Sequence, residues 1–444
     1  MPHNARIGWP LLLALLFVWI GCRDASTTSP DHGSTTARPD LATPTRYDFT
    51  LHLGTSADPT YIQGGGTIWA PCDTSGRGLP IGLHFDPPGP MTLRLDDRPI
   101  SDSLRFIVAF PTAPCEPTDG LLASPIPVRW AGSAGDGLQI GNGAGKPTWT
   151  ADHWPDRART YLPVADHPSR ASQWRFTIAA PSGYTVIASP SPDPDDNRAG
   201  ATQTPDLRRT PRFDFPAKAV AWVAAPLVRV LDAGRIQAFA SEQDAVAFAR
   251  TVASAADVVR WMEAQIGPLP VDSLHIVRAD TRFGGMENAG LIVLSGTPTG
   301  REAELLLAHE IAHQWFGTAA SELLWRDLWL SEGAATWWAI RYGESRWGVE
   351  WADARRVGWG RGDVGKPADS TAHPTDLLAD SYALGAARLE VLAREIGEEA
   401  MLRTMRQLAR PDAHGARPVL SSKRLRRIAE EESGRVLAEV VSGW

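Results

Sequence analysis

The rhythm of apolar and polar residues changes near the middle of this chain. From Tyr47 to about Asp232, short alternating runs are broken by Gly and Pro: Tyr47–Gly54, Gly66–Ala70, Met91–Leu95, Arg105–Phe110, Trp174–Ala179 and Val220–Leu231. Period-two runs at short intervals predict strands with one buried face, and their succession predicts an antiparallel β-sandwich over 47–235. After Ser241 the period lengthens. Gln243–Ile266 carries apolar residues at helical spacing and stops at Gly267-Pro268, a helix terminator. Ser273–Arg278 and Leu291–Ser295 read as strands, and helices follow at about 300–317, 329–346, 380–397, 398–410 and 422–440. The expectation is an α+β multidomain chain in which 236–444 is mostly helical with a small β-sheet.

The first 46 residues follow neither rhythm. Arg6 precedes Leu11–Ile20, an unbroken apolar run of ten residues. That is half of the roughly 20 a spanning helix needs, so 1–21 reads as a signal peptide. It ends in Ile20-Gly21-Cys22, which resembles a bacterial lipobox and makes Cys22 the candidate lipidation site, with Trp19 in place of the usual Leu. Residues 23–46 are Ser, Thr, Pro and Asp with little that is apolar, a composition that cannot build a core. With Cys22 they form a disordered tether over 22–46, reaching roughly 25–30 Å for a flexible chain. The expected location is the bacterial cell envelope, lipid-anchored to a membrane that faces the periplasm or the cell surface. In an exported protein the remaining pair, Cys72 and Cys115, is expected as a disulfide.

Composition narrows the function. A length of 444 residues, 43% hydrophobic and 21% charged, rules out wholesale disorder and allows two or three domains. A net charge of −7 argues against a nucleic-acid partner. The one basic run, Lys423-Arg424-Leu425-Arg426-Arg427, has the spacing of a solvated helix face.

The chemistry lies in the second half. His309-Glu310-Ile311-Ala312-His313 sits within a stretch of strong helix formers. Residues four apart on a helix differ by about 40° in azimuth and about 6 Å in rise, so both imidazoles can face one ion. Glu310 lies about 100° round from His309, outside that first set but able to reach a water beside it. Zn2+ favours nitrogen and oxygen ligands in a tetrahedron with one open corner. Glu332, nineteen residues after His313 at the start of the next predicted helix, is the candidate third ligand. A helical hairpin would bring it back to the histidines.

These motifs, with Phe283-Gly284-Gly285-Met286-Glu287-Asn288, resemble the aminopeptidase N-like zinc metallopeptidases, the gluzincins that also include the leukotriene A hydrolases. Arg159-Thr160-Tyr161-Leu162-Pro163, Trp325–Leu330 and Ser381-Tyr382-Ala383-Leu384-Gly385 extend the resemblance from about Tyr47 to the end of the chain. It implies a thermolysin-like catalytic domain and one Zn2+ held by His309, His313 and Glu332. It also implies Glu310 as general base and Tyr382 as donor to the oxyanion. Glu287 would bind the free α-ammonium of a peptide, Gly284, Gly285 and Asn288 would lie along its backbone, and Met286 would line its first side-chain pocket. Asp327 would orient a ligating histidine. The implied activity is removal of N-terminal residues from peptides; the alternatives are an open-cleft endopeptidase or oligopeptidase, or a non-catalytic peptide-binding lipoprotein. The chain departs from the family at Gly285, where Ala is common, at Leu384 and Ala339, and at Asp152, His153 and Trp154, where a second amine-binding Gln or Glu would sit. It resembles a short member without the large C-terminal helical domain.

Overall fold

The computed structural model describes residues 41–55, 57–101, 105–118, 121–143, 145–189, 202–203, 214–357, 374–411, 417–440 and 444. Cys22 and the expected signal and most of the tether lie outside them.

The N-terminal half is built from a large sheet facing a four-stranded one. The large sheet runs Thr202–Gln203, Ala171–Ala179, Arg46–His52, Tyr61–Pro71, Leu121–Ser133, Met91–Leu95, Arg98–Ile100. The smaller sheet is Thr185–Ala188, Trp222–Ala225, Lys146–Ala151, Leu138–Gly143. Alternation in sequence becomes alternation in burial: Tyr47, Phe49 and Leu51 point into the core, while Asp48, Thr50 and His52 face out. The expectation of a wholly antiparallel sandwich needs one correction, since Arg46–His52 runs parallel to Ala171–Ala179. More than a hundred residues separate these strands, so no hairpin constrains their direction. Cys72 and Cys115 form a disulfide in this half.

Pro226 splits the expected Val220–Leu231 strand. Trp222–Ala225 stays in the sandwich, whereas Val228–Ala233 begins a five-stranded sheet, Val228–Ala233, Ile236–Ala240, Leu274–Arg278, Leu291–Leu294, Gly285–Asn288. A proline cannot continue a ladder, so the chain changes sheets there. Its central strands are buried on both faces, while Val228–Ala233 at one edge is largely exposed. Val277, Leu291 and Val293 pack with the sandwich core, and Ile276, Ile292 and Leu294 with the helices. A strand covered on both sides reads as an unbroken apolar run, which is why Leu291–Leu294 is Leu-Ile-Val-Leu. Among the described residues its last strand, Gly285–Asn288, pairs only with Leu291–Leu294, and these residues leave its other edge open.

The expected helix over Gln243–Ile266 is two, α1 Ala245–Thr251 and α2 Ala255–Ile266. The Thr251 hydroxyl donates 2.8 Å to the Pro298 carbonyl across the break. There follow α3 Gly300–Ala312, α4 Leu328–Trp347, α5 Val349–Arg356, α6 Pro374–Ile396, α7 Glu398–Leu408 and α8 Ser422–Ser433. Helix α8 stops earlier than the sequence suggests because Gly434, at φ 68°, caps it.

Two histidines, His153 buried and His84 half-buried, each contribute less stability in acid. His153 donates from Nδ1 to the Ala217 carbonyl and accepts from the Tyr161 hydroxyl at Nε2. Burial lowers its pKa to about 4, and burial with Arg159 nearby lowers His84 to about 3. An unfolded histidine titrates near 6.5. Below that pH the unfolded chain gains protons that the native chain refuses, so stability falls as pH drops, levelling off below the native values. His153 alone should cost about 2 kcal/mol by pH 5. Buried carboxyls raised above their unfolded values, Glu310 and Asp166, respond with the opposite sign over this range. The change in urea midpoint between pH 7.5 and pH 5 is therefore compared between wild type and His153→Gln; equal changes would remove the effect.

Candidate metal centre

Helix α3 delivers His309 and His313 to one side, as four-residue spacing requires, and α4 delivers Glu332 opposite them. His309 Nε2 lies 3.1 Å from His313 Nε2. Glu332 Oε2 is 3.5 Å from the first and 3.3 Å from the second. Ligand atoms about 2.05 Å from a tetrahedral ion stand about 3.3 Å apart, so these three atoms match one face of such a site. Glu332 Oε2 is buried and accepts no hydrogen bond, and two imidazole nitrogens face each other beside it. That donor set fits a zinc ion. A second group within similar reach, Glu287, Glu310 and His313, shares His313 with the first.

Each ligand is held from behind. His313 Nδ1 donates 2.8 Å to the Phe316 carbonyl, in the tight turn that ends α3. A Cβ at Gly317 (φ 130°) would sit 2.9 Å from that nitrogen, so the turn needs glycine. Thr336, one turn after Glu332 on α4, lies 3.4 Å from His309 Nδ1. Asp327 does not orient a histidine, as expected from the sequence; its carboxylate accepts from the Ser422 amide at 3.1 Å and its hydroxyl at 3.3 Å, tying down the start of α8. The carbonyl of Phe316 and the hydroxyl of Thr336 are nearer to the rings because the α3 turn and α4 hold them there.

The acids around this centre shift one another. Burial opposes the charge on His313, yet the carboxylates of Glu287 and Glu332 raise its pKa to about 10. Burial likewise opposes the Glu332 charge, and His313 holds it well below the usual carboxylate range. Burial lifts Glu310 to about 8, with the neighbouring carboxylates adding to the effect. Its Oε2 is buried without a partner. Burial and the same carboxylates push the Tyr382 phenol up, so it keeps its proton.

Tyr382 comes from α6, its ring 5.6 Å from that of His309. The helices can approach this closely because they cross glycine on glycine. A Cβ on Gly385 would meet the Trp329 carbonyl at 2.4 Å and the Gly333 Cα at 2.8 Å. Gly385→Ala must separate α4 from α6, moving Tyr382 away from Glu332 together. Any catalysis in the cleft should fall at least tenfold while a metal still binds through the α3–α4 pair; unchanged turnover would mean the crossing is slack.

One cleft collects Gly285, Met286, Glu287, His309, Glu310, His313, Glu332 and Tyr382. Gly285 is tight, since a Cβ there would meet Glu310 Oε1 at 2.1 Å and force the carboxylate to move. Two expected contact residues are not in the lining. Gly284 gives its carbonyl to the Ser295 amide. Asn288 is buried behind the strand, where its carbonyl accepts 3.1 Å from Gln314 Nε2 while Gln314 Oε1 accepts from the Gly290 amide. Gln314, the residue after His313, thus fixes the open-edged strand against α3.

The cleft also contains Trp154 and Phe283, their rings edge-on at 5.4 Å. Of the three residues where a second amine anchor was expected, only Trp154 reaches the lining; Asp152 pairs with Arg157 at 3.1 Å and His153 faces Tyr161. The sandwich supports this wall through the turn Ala217–Ala219. Ala217 accepts from His153, Ala219 accepts 2.8 Å from the Ala289 amide, and buried Lys218 pairs with buried Glu322 beneath Trp325. No local sequence pattern marks Lys218 or Glu322, because they meet 104 residues apart.

Residues 255–444 match the peptidase family M1 domain. Aminopeptidase N of Streptomyces lividans is 27% identical over 326 residues, which is 65% of this chain and 37% of the relative. Aminopeptidase M1-A of Oryza sativa subsp. japonica is 26% identical over 219 residues, 44% of this chain and 24% of the relative. The chain therefore spans well under half the length of these curated relatives. An M1 zinc metallopeptidase from Deinococcus radiodurans superposes with a TM-score of 0.70 at 20% identity, covering 90% of this chain and 93% of that one. A point mutant of that peptidase, bound to a Tyr-Ser-Ala substrate, has the same TM-score and covers 91% of this chain and 96% of its own.

Proposed function

Because residues 255–444 are a peptidase family M1 domain of the aminopeptidase N-like gluzincin type, we propose that the protein is a zinc aminopeptidase acting on peptides with a free N-terminus. The observation that carries this reading is the triangle of His309, His313 and Glu332 donor atoms, 3.1–3.5 Å on a side, with the unpartnered Glu310 carboxylate beside it. The reading includes one ion per chain; that the second possible ligand group among the described residues shares His313 supports it. When bound, zinc supplies a Lewis acid that polarises the peptide carbonyl and makes a water more acidic.

The remaining work falls to the chain's own residues. Glu310, lifted to about 8, takes the proton of the attacking water and passes it to the leaving amine. The protonated Tyr382 phenol donates to the carbonyl oxygen as negative charge grows there. The open edge of Gly285–Asn288 pairs with the extended substrate backbone, with Met286, Phe283 and Trp154 beside its first side chain. Glu287 accepts from the α-ammonium and so places the first peptide bond over the metal centre.

Glu287→Gln keeps the shape and loses the charge. It should raise KM for a free-amine aminoacyl anilide at least tenfold and leave turnover of an N-acetylated peptide unchanged. Loss of both substrates alike would deny Glu287 its selective role. A chelator should abolish turnover of the wild type, with recovery on adding zinc.

The same proposal includes export and lipid anchoring through Cys22. The apolar run Leu11–Ile20 ending at Gly21-Cys22 and the Cys72–Cys115 disulfide support it.

A further inference from the structure

One end of the sandwich carries apolar side chains that the fold leaves bare. Leu121 and Leu122 are each 46% exposed. Successive residues of a strand point to opposite faces, so two bare neighbours mean that neither face is covered there. This end of the Leu121–Ser133 strand, paired with Glu116–Thr118, stands clear of the sheet as a ribbon. Phe110, 68% exposed, lies at the same end. Its neighbour Pro111 and Ser124 both flank Gly78, where an added Cβ would meet them at 2.6 and 2.9 Å. Ser124 Oγ donates 2.7 Å to the Ala113 carbonyl, and the Cys72–Cys115 disulfide fastens the loop that carries Glu116.

The preceding chain enters the fold beside this group. The Ala42 amide donates 3.0 Å to the Pro80 carbonyl, and the next residue, Ile81, pairs with Ala109, the residue before Phe110. Ala42, near the first described residue, therefore lies one strand pair away from Phe110. Charges among the described residues here are Asp73, Arg77, Asp96, which accepts 2.8 Å from the Thr112 hydroxyl, and Glu116, interspersed with Pro111, Pro114 and Pro117.

We propose that Phe110, Leu121 and Leu122 form a lipid-contact surface that seats this end of the sandwich in the interface of the membrane reached by the N-terminal segment. The proposal rests on the anchored reading above. Bare aromatic and aliphatic side chains with little charge suit the boundary between headgroups and acyl chains. Residues 41–46 are part of the fold, and the tether expected over 23–40 reaches roughly 21–25 Å, which leaves the fold free to turn and seat that end. The strand then points away from the bilayer, and Ser133, twelve residues on and about 40 Å distant, stays in water.

The test uses the full chain, purified from bacterial membranes and reconstituted with phosphatidylethanolamine–phosphatidylglycerol vesicles. An environment-sensitive thiol probe is attached at Leu122→Cys or, as control, at Ser133→Cys. Vesicles should blue-shift the probe at 122 and cut its quenching by iodide at least threefold, leaving the probe at 133 unchanged. Adding Phe110→Ser and Leu121→Ser should return the probe at 122 towards water. A chain that floats with vesicles while its probe at 122 stays in water overturns the surface and leaves the anchor standing. Probe uptake by the chain with no introduced cysteine tests the anchor separately, since a lipidated Cys22 cannot react. Shielding of position 122 that grows with protein concentration without vesicles would assign the patch to a second copy of the chain, and overturns the lipid assignment.

Discussion

Glu310→Gln should lower kcat by about a thousandfold while the protein stays folded and keeps its zinc. The carboxylate touches none of the three donor atoms' supports: His313 is held by the Phe316 carbonyl, His309 faces Thr336, and Glu332 comes from another helix. An isosteric amide therefore leaves the metal set in place and removes the proton acceptor. What it removes is a base whose surroundings are tuned for the task. Burial and nearby carboxylates raise Glu310 above the ordinary carboxylate range, which makes it a stronger proton acceptor than a free carboxylate. Zinc stoichiometry and kcat on a free-amine aminoacyl anilide, measured on the same preparation, decide the matter. Zinc retained with kcat lost assigns the base. Zinc retained with kcat within tenfold of wild type assigns it elsewhere.

Lys218→Met should destabilise the protein by about 3–5 kcal/mol, although residue 218 touches no substrate. Lys218 and Glu322 are almost completely buried, and Glu322 already has one carboxylate oxygen without a partner. Removing the ammonium leaves a carboxylate in a low-dielectric interior facing only Arg417 for charge compensation. Most of the penalty comes from that stranded charge, so removing both charges should relieve it. The double variant Lys218→Met with Glu322→Leu is expected within about 1 kcal/mol of wild type, with Arg417 still facing Asp214. Denaturant midpoints of the single and double variants make the comparison. A double variant as unstable as the single would mean that the ammonium stem, not the charge balance, holds the Ala217–Ala219 turn.

The two variants mark what was legible in the sequence. Glu310 could be found by reading, because the metal motif is local. Four-residue spacing on a helix places two imidazoles on one side and the intervening glutamate beside them, whatever the rest of the chain does. Glu332 was legible for a similar reason, since a hairpin of two helices is the short way back from α3. The strands were legible where one face is wet, as at Arg46–His52, and less so where both are dry. Gly285–Asn288 was recognised by its motif and not by its period, since three of its four residues are buried.

Other features depended on distant partners. Asp327 lies five residues before Glu332 and looked like support for the metal centre; α8 takes its carboxylate instead. Asn288 and Gly284 belong to the motif, yet Asn288 is held from behind by Gln314 and Gly284 continues the pairing to Ser295. Trp154 has no local mark as a cleft residue, and Gly385 no mark as a helix crossing until Gly333 is found against it.

The sequence alone determined the chemistry: two imidazoles, a carboxylate and a base, on helices whose period turns them to one side. It also determined the change from strands to helices, because burial on one face imposes a period that can be read. Only the tertiary structure decided which acid serves the metal and which merely caps a helix, which strand edge stays open, and which residues of the sandwich close the cleft. Those outcomes depend on contacts between residues far apart in the chain, and a contact of that kind leaves no period behind.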